Sequence, residues 1–126
     1  MNRRNLMATV ALLAFAASSH ALEVKPYTAA ALAQAQAANQ PVALHFHADW
    51  CPTCLKQEKV LQSLKTEPGL DLTVLVADYD AEKALKRRFR VNVQSTLIVL
   101  HGQKEVTRLV GNTQADAIRG ALKTAL

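Results

Sequence analysis

The sequence has only two cysteines in 126 residues, and they form a single Cys-x-x-Cys pair. No second pair of this kind accompanies it, although many structural zinc sites are built from two. The chain also lacks internal repeats, low-complexity linkers and any motif in which basic and aromatic residues alternate, so we expect no nucleic-acid partner. Half of the residues are apolar, which is enough for one domain with its own core.

Long apolar runs are scarce as well, and the one that exists lies at the N-terminus. A positively charged start, Asn2-Arg3-Arg4-Asn5, precedes the apolar segment 6–17 and the small-x-small tripeptide Ser19-His20-Ala21. This order is typical of a secretory signal peptide, and the apolar segment is shorter than the roughly 20 residues that span a bilayer. We therefore predict a cleaved signal peptide over residues 1–21 and a soluble periplasmic domain over residues 22–126. An uncleaved membrane anchor is the alternative.

The two cysteines, Cys51 and Cys54, are separated only by Pro52 and Thr53. In an exported protein, cysteines usually form structural disulfides. Such a disulfide stabilises mainly by closing a long loop in the unfolded chain, and this spacing closes almost none. The pair is therefore better suited to reversible thiol chemistry than to crosslinking.

The apolar pattern predicts alternating helices and strands. Strands are predicted over residues 42–47, 70–77, 96–100 and 105–110, with an edge strand within 22–27. Helices are predicted over residues 29–38, from about residue 51 to a stop at 67–69, over 81–89, and after Thr113. Thr28 and Asp80 are candidate N-caps, and Thr113 with Asp116 resembles a capping box.

These elements predict an α/β fold with a central mixed β-sheet and helices on both faces. The early strands, which are joined through helices, are expected to pair in parallel, and the last two strands to form an antiparallel hairpin. In such a sheet the functional crevice lies beyond the carboxyl ends of the parallel strands. The helix that carries Cys51 begins at that edge.

The segment Ala48-Asp49-Trp50-Cys51-Pro52-Thr53-Cys54-Leu55-Lys56 resembles the active site of the thioredoxin family, and the order of elements over residues 22–126 is similar too. The resemblance implies a thioredoxin-like domain that catalyses thiol–disulfide exchange on other proteins, with no cofactor and no metal. It favours the reducing direction, which in an oxidising compartment requires a membrane electron donor. We expect the mature protein to be a monomer.

Position assigns different roles to the two thiols. Cys51, at the helix N-terminus, lies against free backbone N–H groups and the positive end of the helix dipole, which favour a thiolate. It is expected to be the exposed nucleophile, and Cys54 the resolving thiol. Pro52 and Thr53 tune the direction of exchange. Trp50 is expected to shield the pair and to offer a flat apolar contact to the substrate; packing at the strand end is an alternative that is compatible with this role.

Two positions depart from the family pattern. Where the family has a cis-proline facing the cysteines, this chain has Ser95, followed by Thr96 at the start of a strand. The resemblance implies that this loop contacts the substrate backbone. The peptide before Ser95 is expected to be trans, because a cis peptide there costs about 2.5–4 kcal/mol.

The second departure is His45, which stands where the family has a buried aspartate that helps to move the proton of the inner cysteine. Val76 stands where the family has the lysine partner of that aspartate. His45 is either a proton shuttle, since histidine titrates near neutral pH, or a buried structural residue.

Two other functions are compatible with the sequence. His47 follows His45 on the same side of its strand, so Cys51, Cys54 and His47 could hold copper or zinc. Alternatively, the protein keeps the fold as a binding or assembly factor and has no turnover.

Overall fold

The structure is a computed structural model that describes residues 21–126. The predicted signal peptide therefore lies outside the described residues, apart from Ala21. No helix within residues 21–126 has both the length and the apolar character needed to cross a bilayer. The described elements follow in chain order: β1 (Glu23–Pro26), α1 (Ala29–Ala37), β2 (Pro41–His47), α2 (Pro52–Leu64), β3 (Thr73–Asp78), α3 (Lys83–Phe89), β4 (Thr96–His101), β5 (Lys104–Val110) and α4 (Ala115–Lys123).

The five strands form one mixed sheet in the order β1-β3-β2-β4-β5. Strand β3 pairs in parallel with β1 and β2, and β5 pairs antiparallel with β4, as predicted. Strand β4 also follows a helix, yet it runs antiparallel to β2. This reversal places the start of β4 beside the end of β2, with Phe46 opposite Thr96. The residue before β4 is thereby brought to the edge where α2 begins.

Helices cover both faces of the sheet, and the alternation of side chains along β2 divides the core between them. Val42, Leu44 and Phe46 pack with Leu32 of α1 and Leu85 of α3. On the other face a second cluster joins strand residues to α2 and α4; its members include Ala43, Leu61, Leu64, Ile118 and Leu122. The predicted layered α/β architecture is confirmed. His45 lies on the same side of β2 as Ala43 and therefore faces α2.

The helix starts agree only in part with the predictions. Thr28 caps α1 as predicted, since its Oγ1 accepts a hydrogen bond from the N–H of Ala31 at 3.0 Å. Asp80 does not cap α3, which begins at Lys83 after Glu82, without a side-chain cap. Instead, the backbone N–H of Asp80 donates to Asp78 Oδ1 at 2.9 Å, and this hydrogen bond holds a turn before the helix.

The predicted capping box at Thr113 and Asp116 is wrong. Helix α4 has Gln114 at its N-cap, and Asn112 Oδ1 accepts the N–H of Gln114 at 2.9 Å. The carboxylate of Asp116 binds Arg119 Nη1 at 2.6 Å, which removes it from the cap. An asparagine turn and an ion pair along the helix thus replace the capping box.

Candidate active site

The two cysteines lie at the predicted edge, where α2 follows the carboxyl end of β2. Cys51 is the N-cap of α2, Pro52 follows in the first turn, and Cys51 Sγ accepts the N–H of Cys54 at 3.2 Å. Proline is tolerated there because the first helical N–H groups have no partner within the helix. The predicted placement of Cys51 against free N–H groups is confirmed.

The exposure expected for Cys51 is not found. Cys51 is 2% exposed and Cys54 is fully buried, and Tyr79 packs against the cluster that contains both. The Ser95 hydroxyl, itself buried, contacts both sulfurs, so Cys51 is a buried thiol and not the exposed nucleophile that was predicted. Its sulfur must become accessible before it can attack a disulfide.

Ser95 is the feature that joins the two thiols. Its Oγ lies 3.2 Å from Cys51 Sγ and 3.2 Å from Cys54 Sγ, in the residue immediately before β4. A hydroxyl has one hydrogen to donate and two lone pairs to accept with. It can therefore donate to one sulfur while it accepts the S–H of the other.

The surroundings push the pKa values of the two thiols in opposite directions. Burial alone raises the pKa of Cys51, but hydrogen bonds from the Cys54 thiol, the Ser95 hydroxyl and the N–H groups of Cys54 and Thr53 outweigh it and hold the pKa below its ordinary value. Burial, and next the hydrogen bond of its thiol to Cys51, raise the pKa of Cys54. The pair thus favours a thiolate on Cys51 and a protonated thiol on Cys54.

The backbone of Ser95 is held by the protein itself. All peptide bonds between residues 21 and 126 are trans, which confirms the expectation for Ser95, and its φ of 65° lies in the left-handed region. Its N–H donates to the carbonyl of Phe46 at 3.0 Å, and its carbonyl accepts from Gln57 Nε2 and the N–H of Gly111, both at 3.0 Å. A substrate that paired with this backbone would have to replace one of these bonds.

Gln57 is a site residue that the sequence reasoning missed. It is 1% exposed, and its Nε2 donates to the carbonyls of Ser95 and Asn112, both at 3.0 Å. Its spacing in the sequence could have shown that it is buried, because Gln57 lies four residues before Leu61 and seven before Leu64, on the apolar face of α2. A glutamine on such a face needs buried partners.

His45 is buried, and its Nε2 lies 2.9 Å from Gln57 Oε1. Burial lowers the pKa of His45 to about 4, so the ring is neutral at neutral pH. The hydrogen-bond partners of Cys54 are Cys51, Ser95, the backbone of Ala48 and the distant Phe46 carbonyl at 3.9 Å, and His45 is not among them within residues 21–126. The structure therefore favours the structural interpretation of His45 over the proton shuttle.

His47 does not complete a metal site with the cysteines. Within the part of the chain that the structure describes, no three His, Cys, Asp or Glu side chains are arranged to hold a metal ion. His47 instead places Nε2 3.3 Å from a carboxylate oxygen of Glu58 and Nδ1 3.7 Å from one of Asp49. The alternative copper or zinc set of Cys51, Cys54 and His47 is thus not brought together in the described structure.

The predicted substrate-binding residues divide into surface and interior. Trp50 is 60% exposed and its Nε1 donates to Asp80 Oδ2 at 2.7 Å, so it is not packed at the strand end. Pro52 is exposed and Thr53 is half-buried. Thr96 is buried, and its hydroxyl donates a hydrogen bond to the carbonyl of Val93. Trp50, Pro52 and Thr53 thus form the accessible rim beside the covered thiols.

Comparison with known proteins gives consistent matches. The thioredoxin family model matches residues 23–124. Thioredoxin from Mycobacterium tuberculosis is 38% identical over 73 residues, which span 58% of this chain and 63% of that protein. A thiol:disulfide interchange protein DsbD from Ralstonia nicotianae is 31% identical over 104 residues, 76% of this chain but 17% of that longer protein.

The fold has solved counterparts. The crystal structure of Trxlp from Edwardsiella tarda is 42% identical, covers 79% of this chain and 98% of its own, and superposes with a TM-score of 0.75. A mutant thioredoxin from Halobacterium salinarum, 26% identical, covers 86% of this chain and 94% of its own, with a TM-score of 0.70. The family match across nearly all of the described residues, with the Cys51/Cys54 pair at the start of α2, shows that the chain belongs to the thioredoxin family.

Proposed function

We propose that this protein is a thiol–disulfide oxidoreductase that acts on protein disulfides through a Cys51/Cys54 dithiol–disulfide cycle. The observation that carries the proposal is the position of the pair at the start of α2, where Cys51 Sγ accepts the N–H of Cys54 at 3.2 Å; in keeping with this asymmetry, the pKa of Cys51 is lowered and that of Cys54 is raised. Cys51 is thus the thiol that attacks the substrate disulfide, and Cys54 is the thiol that resolves the mixed disulfide. Thioredoxins among the relatives support the same activity.

The cycle follows from this asymmetry. The Cys51 thiolate attacks one sulfur of a substrate disulfide, and the other substrate sulfur leaves as a thiolate that takes up a proton. Cys54 then attacks the Cys51 sulfur of the mixed disulfide, which releases the second substrate thiol and leaves Cys51 and Cys54 joined. The dithiol has supplied two electrons and two protons to the substrate disulfide. The reverse sequence oxidises a substrate dithiol.

We place the protein in the bacterial periplasm and favour the reducing direction. The order of charge, apolar segment and small residues over 1–21 supports export, and the thioredoxin relatives support reduction. A reductase in an oxidising compartment must be re-reduced, so this proposal includes a membrane electron donor. The exposed rim at Trp50 is the surface we assign to the protein substrate, which a monomer would leave accessible.

The reduction potential of the Cys51–Cys54 pair tests the activity and its direction. The purified protein is equilibrated in defined thiol/disulfide buffers, and free thiols are trapped and counted. A potential near that of thioredoxin, about −270 mV, would support a reductase, and one near −120 mV would indicate an oxidase. A pair that forms no intramolecular disulfide at any buffer potential would overturn the proposal.

Turnover separates the enzyme from a binding protein with the same fold. A Cys51→Ser variant should lose reduction of a protein disulfide while its fold is retained. If Cys51→Ser complements a deletion strain as well as the wild type does, the protein acts through binding and not through exchange.

Export is tested separately. The mature protein from a periplasmic extract is sequenced from its N-terminus, and we expect it to begin at Leu22. Recovery of the full chain in the membrane fraction would support the uncleaved anchor instead.

A further inference from the structure

We propose that a basic groove beside the thiol site docks an acidic segment of the protein substrate. The groove has a volume of about 640 Å³ and is lined by four cationic side chains and the two residues that follow them: Lys83, Lys86, Arg87, Arg90, Val91 and Asn92. This inference rests on the proposed exchange cycle. It adds the chemical character of the substrate, which carries carboxylates close to its reactive disulfide.

The four cations form one stripe along α3. Lys83, Lys86, Arg87 and Arg90 follow one another at the spacing i, i+3, i+4 and i+7, which is one face of a helix. Like charges three and four residues apart on a helix repel each other. Among residues 21–126, no carboxylate forms an ion pair with any of the four. The groove therefore holds positive charge that the described chain itself does not neutralise.

The helix dipole does not account for this stripe. It favours a cation in the last turn, where Arg87 lies, but it disfavours one at the N-terminus, where Lys83 is the first residue of α3. Arg88, in the same segment, turns away from the groove and donates to Gln36 Oε1 at 2.9 Å. The stripe thus destabilises the helix, and an anion bound in the groove would relieve the repulsion.

Arg90 is an independent observation that points to a ligand. It ends α3 with a φ of 53°, in the left-handed region where glycine is the favoured residue. Arg108 of β5 holds this turn, because its guanidinium donates to the carbonyls of Phe89 at 2.6 Å and of Arg90 at 3.4 Å. A backbone that suits glycine is thereby fixed with an exposed arginine at the groove.

Tyr79 connects the groove to the thiols. It packs against the cluster that contains Cys51 and Cys54, while Lys86 Nζ lies 3.9 Å from the centroid of its ring. Its hydroxyl also donates to the carbonyl of Asn92 at 2.9 Å. One side chain thus separates the groove from the thiols. Because an extended chain advances roughly 3.3–3.6 Å per residue, a carboxylate about two to four residues from the reactive cysteine can reach the groove.

The other side of the thiol site carries the opposite charge. Asp49, Asp78 and Asp80 line a second pocket together with Trp50. An acidic segment is repelled there and attracted to the groove, so the charges on this surface set the direction in which a substrate lies. A flat anionic membrane would meet both charges at once. The concave groove with acidic neighbours therefore favours a polypeptide.

The experiment compares two peptide disulfides that differ only in charge. Each is a dimer of a single-cysteine peptide, with either glutamates or glutamines at the positions that reach the groove. Each rate with the fully reduced protein is divided by the rate with dithiothreitol, which corrects for the intrinsic reactivity of the disulfide. We expect the glutamate peptide to react roughly tenfold faster at low ionic strength. This preference should shrink in about 1 M NaCl, where the Debye length is about 3 Å.

Paired substitutions locate the preference in the groove. Arg87→Gln together with Arg90→Gln should bring the ratio of the two rates close to one. Lys104→Gln together with Lys123→Gln is the matched control, because it removes two positive charges from exposed positions outside the groove, and it should keep the wild-type ratio. Arg87→Glu together with Arg90→Glu should reverse the preference, so that a lysine peptide reacts faster than the glutamate peptide.

Arg90→Gly separates docking from a structural role. Glycine relieves the left-handed backbone, so the urea midpoint of this variant should rise. Its preference for the glutamate peptide should nevertheless fall. An arginine needed only for the fold would show the opposite: a lower midpoint and an unchanged ratio of rates.

The outcomes separate the two proposals. Equal corrected rates for the glutamate and glutamine peptides in the wild type overturn the docking role and leave the exchange cycle intact. A preference that falls as much in the lysine control as in the arginine pair also overturns it, because overall charge would then steer the substrate. Binding to vesicles of phosphatidylglycerol without any peptide preference would assign the groove to a membrane surface instead. A wild-type protein that reduces neither peptide disulfide overturns the exchange cycle, and the docking role with it.

Discussion

His45 donates its Nε2–H to Gln57 Oε1 across 2.9 Å of a buried interface between β2 and α2. The direction of this bond is set by Gln57, whose nitrogen donates to two carbonyls and whose oxygen can only accept. His45 is therefore a neutral imidazole with its hydrogen on Nε2. Its Nδ1 is buried and has no hydrogen-bond partner among residues 21–126.

This arrangement predicts a loss of stability in mild acid. The pKa of His45 is about 4 in the folded protein against an ordinary value of 6.5, so between these values the unfolded chain binds more protons. Stability is therefore fully present above pH 6.5 and falls as the pH drops towards 4, by about 3 kcal/mol. Urea unfolding at a series of pH values measures the slope. His45→Gln should flatten it, and an equal slope in that variant would contradict the assignment.

The two thiols should differ in their reactivity towards iodoacetamide. In the reduced protein, Cys51 is expected to react faster than Cys54 and at lower pH than an ordinary thiol, because hydrogen bonds favour its thiolate. Peptide mapping across a pH series gives the two profiles. Ser95→Ala should move the Cys51 profile to higher pH, and Cys51→Ser should leave Cys54 slow to react. Equal profiles for the two cysteines would refute the asymmetry.

Trp50 is the single tryptophan of the chain, so its fluorescence reports on the rim. Asp80→Ala removes the acceptor of its indole N–H, and we expect faster local motion, seen as lower fluorescence anisotropy. Loss of one net hydrogen bond, about 1 kcal/mol, should raise the KM for a protein disulfide by up to about fivefold with kcat unchanged. Asp80→Asn keeps an acceptor oxygen and is expected to resemble the wild type. A fall in kcat alone would not fit this role.

Replacing either of two glycines outside the thiol site by alanine should change the free energy of unfolding, in opposite directions for the two positions. Gly102 turns the β4–β5 hairpin with a φ of 58°, and an added Cβ would collide with the side chain of Asn39. Gly102→Ala is expected to cost about 1–3 kcal/mol. Gly120 lies exposed in α4 with open space around it, so Gly120→Ala should stabilise by about 0.5–1 kcal/mol. Chemical denaturation measures both, and neither should shift the reduction potential.

Much of the fold was predictable because it depends on local pattern. The almost uniform run of alanine, leucine and glutamine after Thr28 predicted α1, and the apolar runs predicted the strands to within a few residues. The helix starts were less predictable, since several polar residues competed for each cap. In α4, for example, the carboxylate of Asp116 binds Arg119 and does not cap the N-terminus of the helix.

The sequence by itself determined the chemistry of the protein. Cys51 and Cys54 are separated by two residues, and a proline lies in the first turn of the helix that follows Cys51. This local sequence places the Cys51 sulfur against free N–H groups of the helix, and the placement depends on neighbouring residues alone. Local geometry of this kind can be deduced from sequence order.

The family resemblance already implied that Ser95 faces the cysteines, but the contacts around those thiols were decided by the tertiary structure. Ser95 meets Cys51 from 44 residues away and Gln57 meets Ser95 from 38 residues away, because β4 returns antiparallel to β2. Hydrophobic periodicity marks which residues are buried but carries no information on which distant strand lies beside which. The burial of Cys51 and the neutral state of His45 therefore result from tertiary packing.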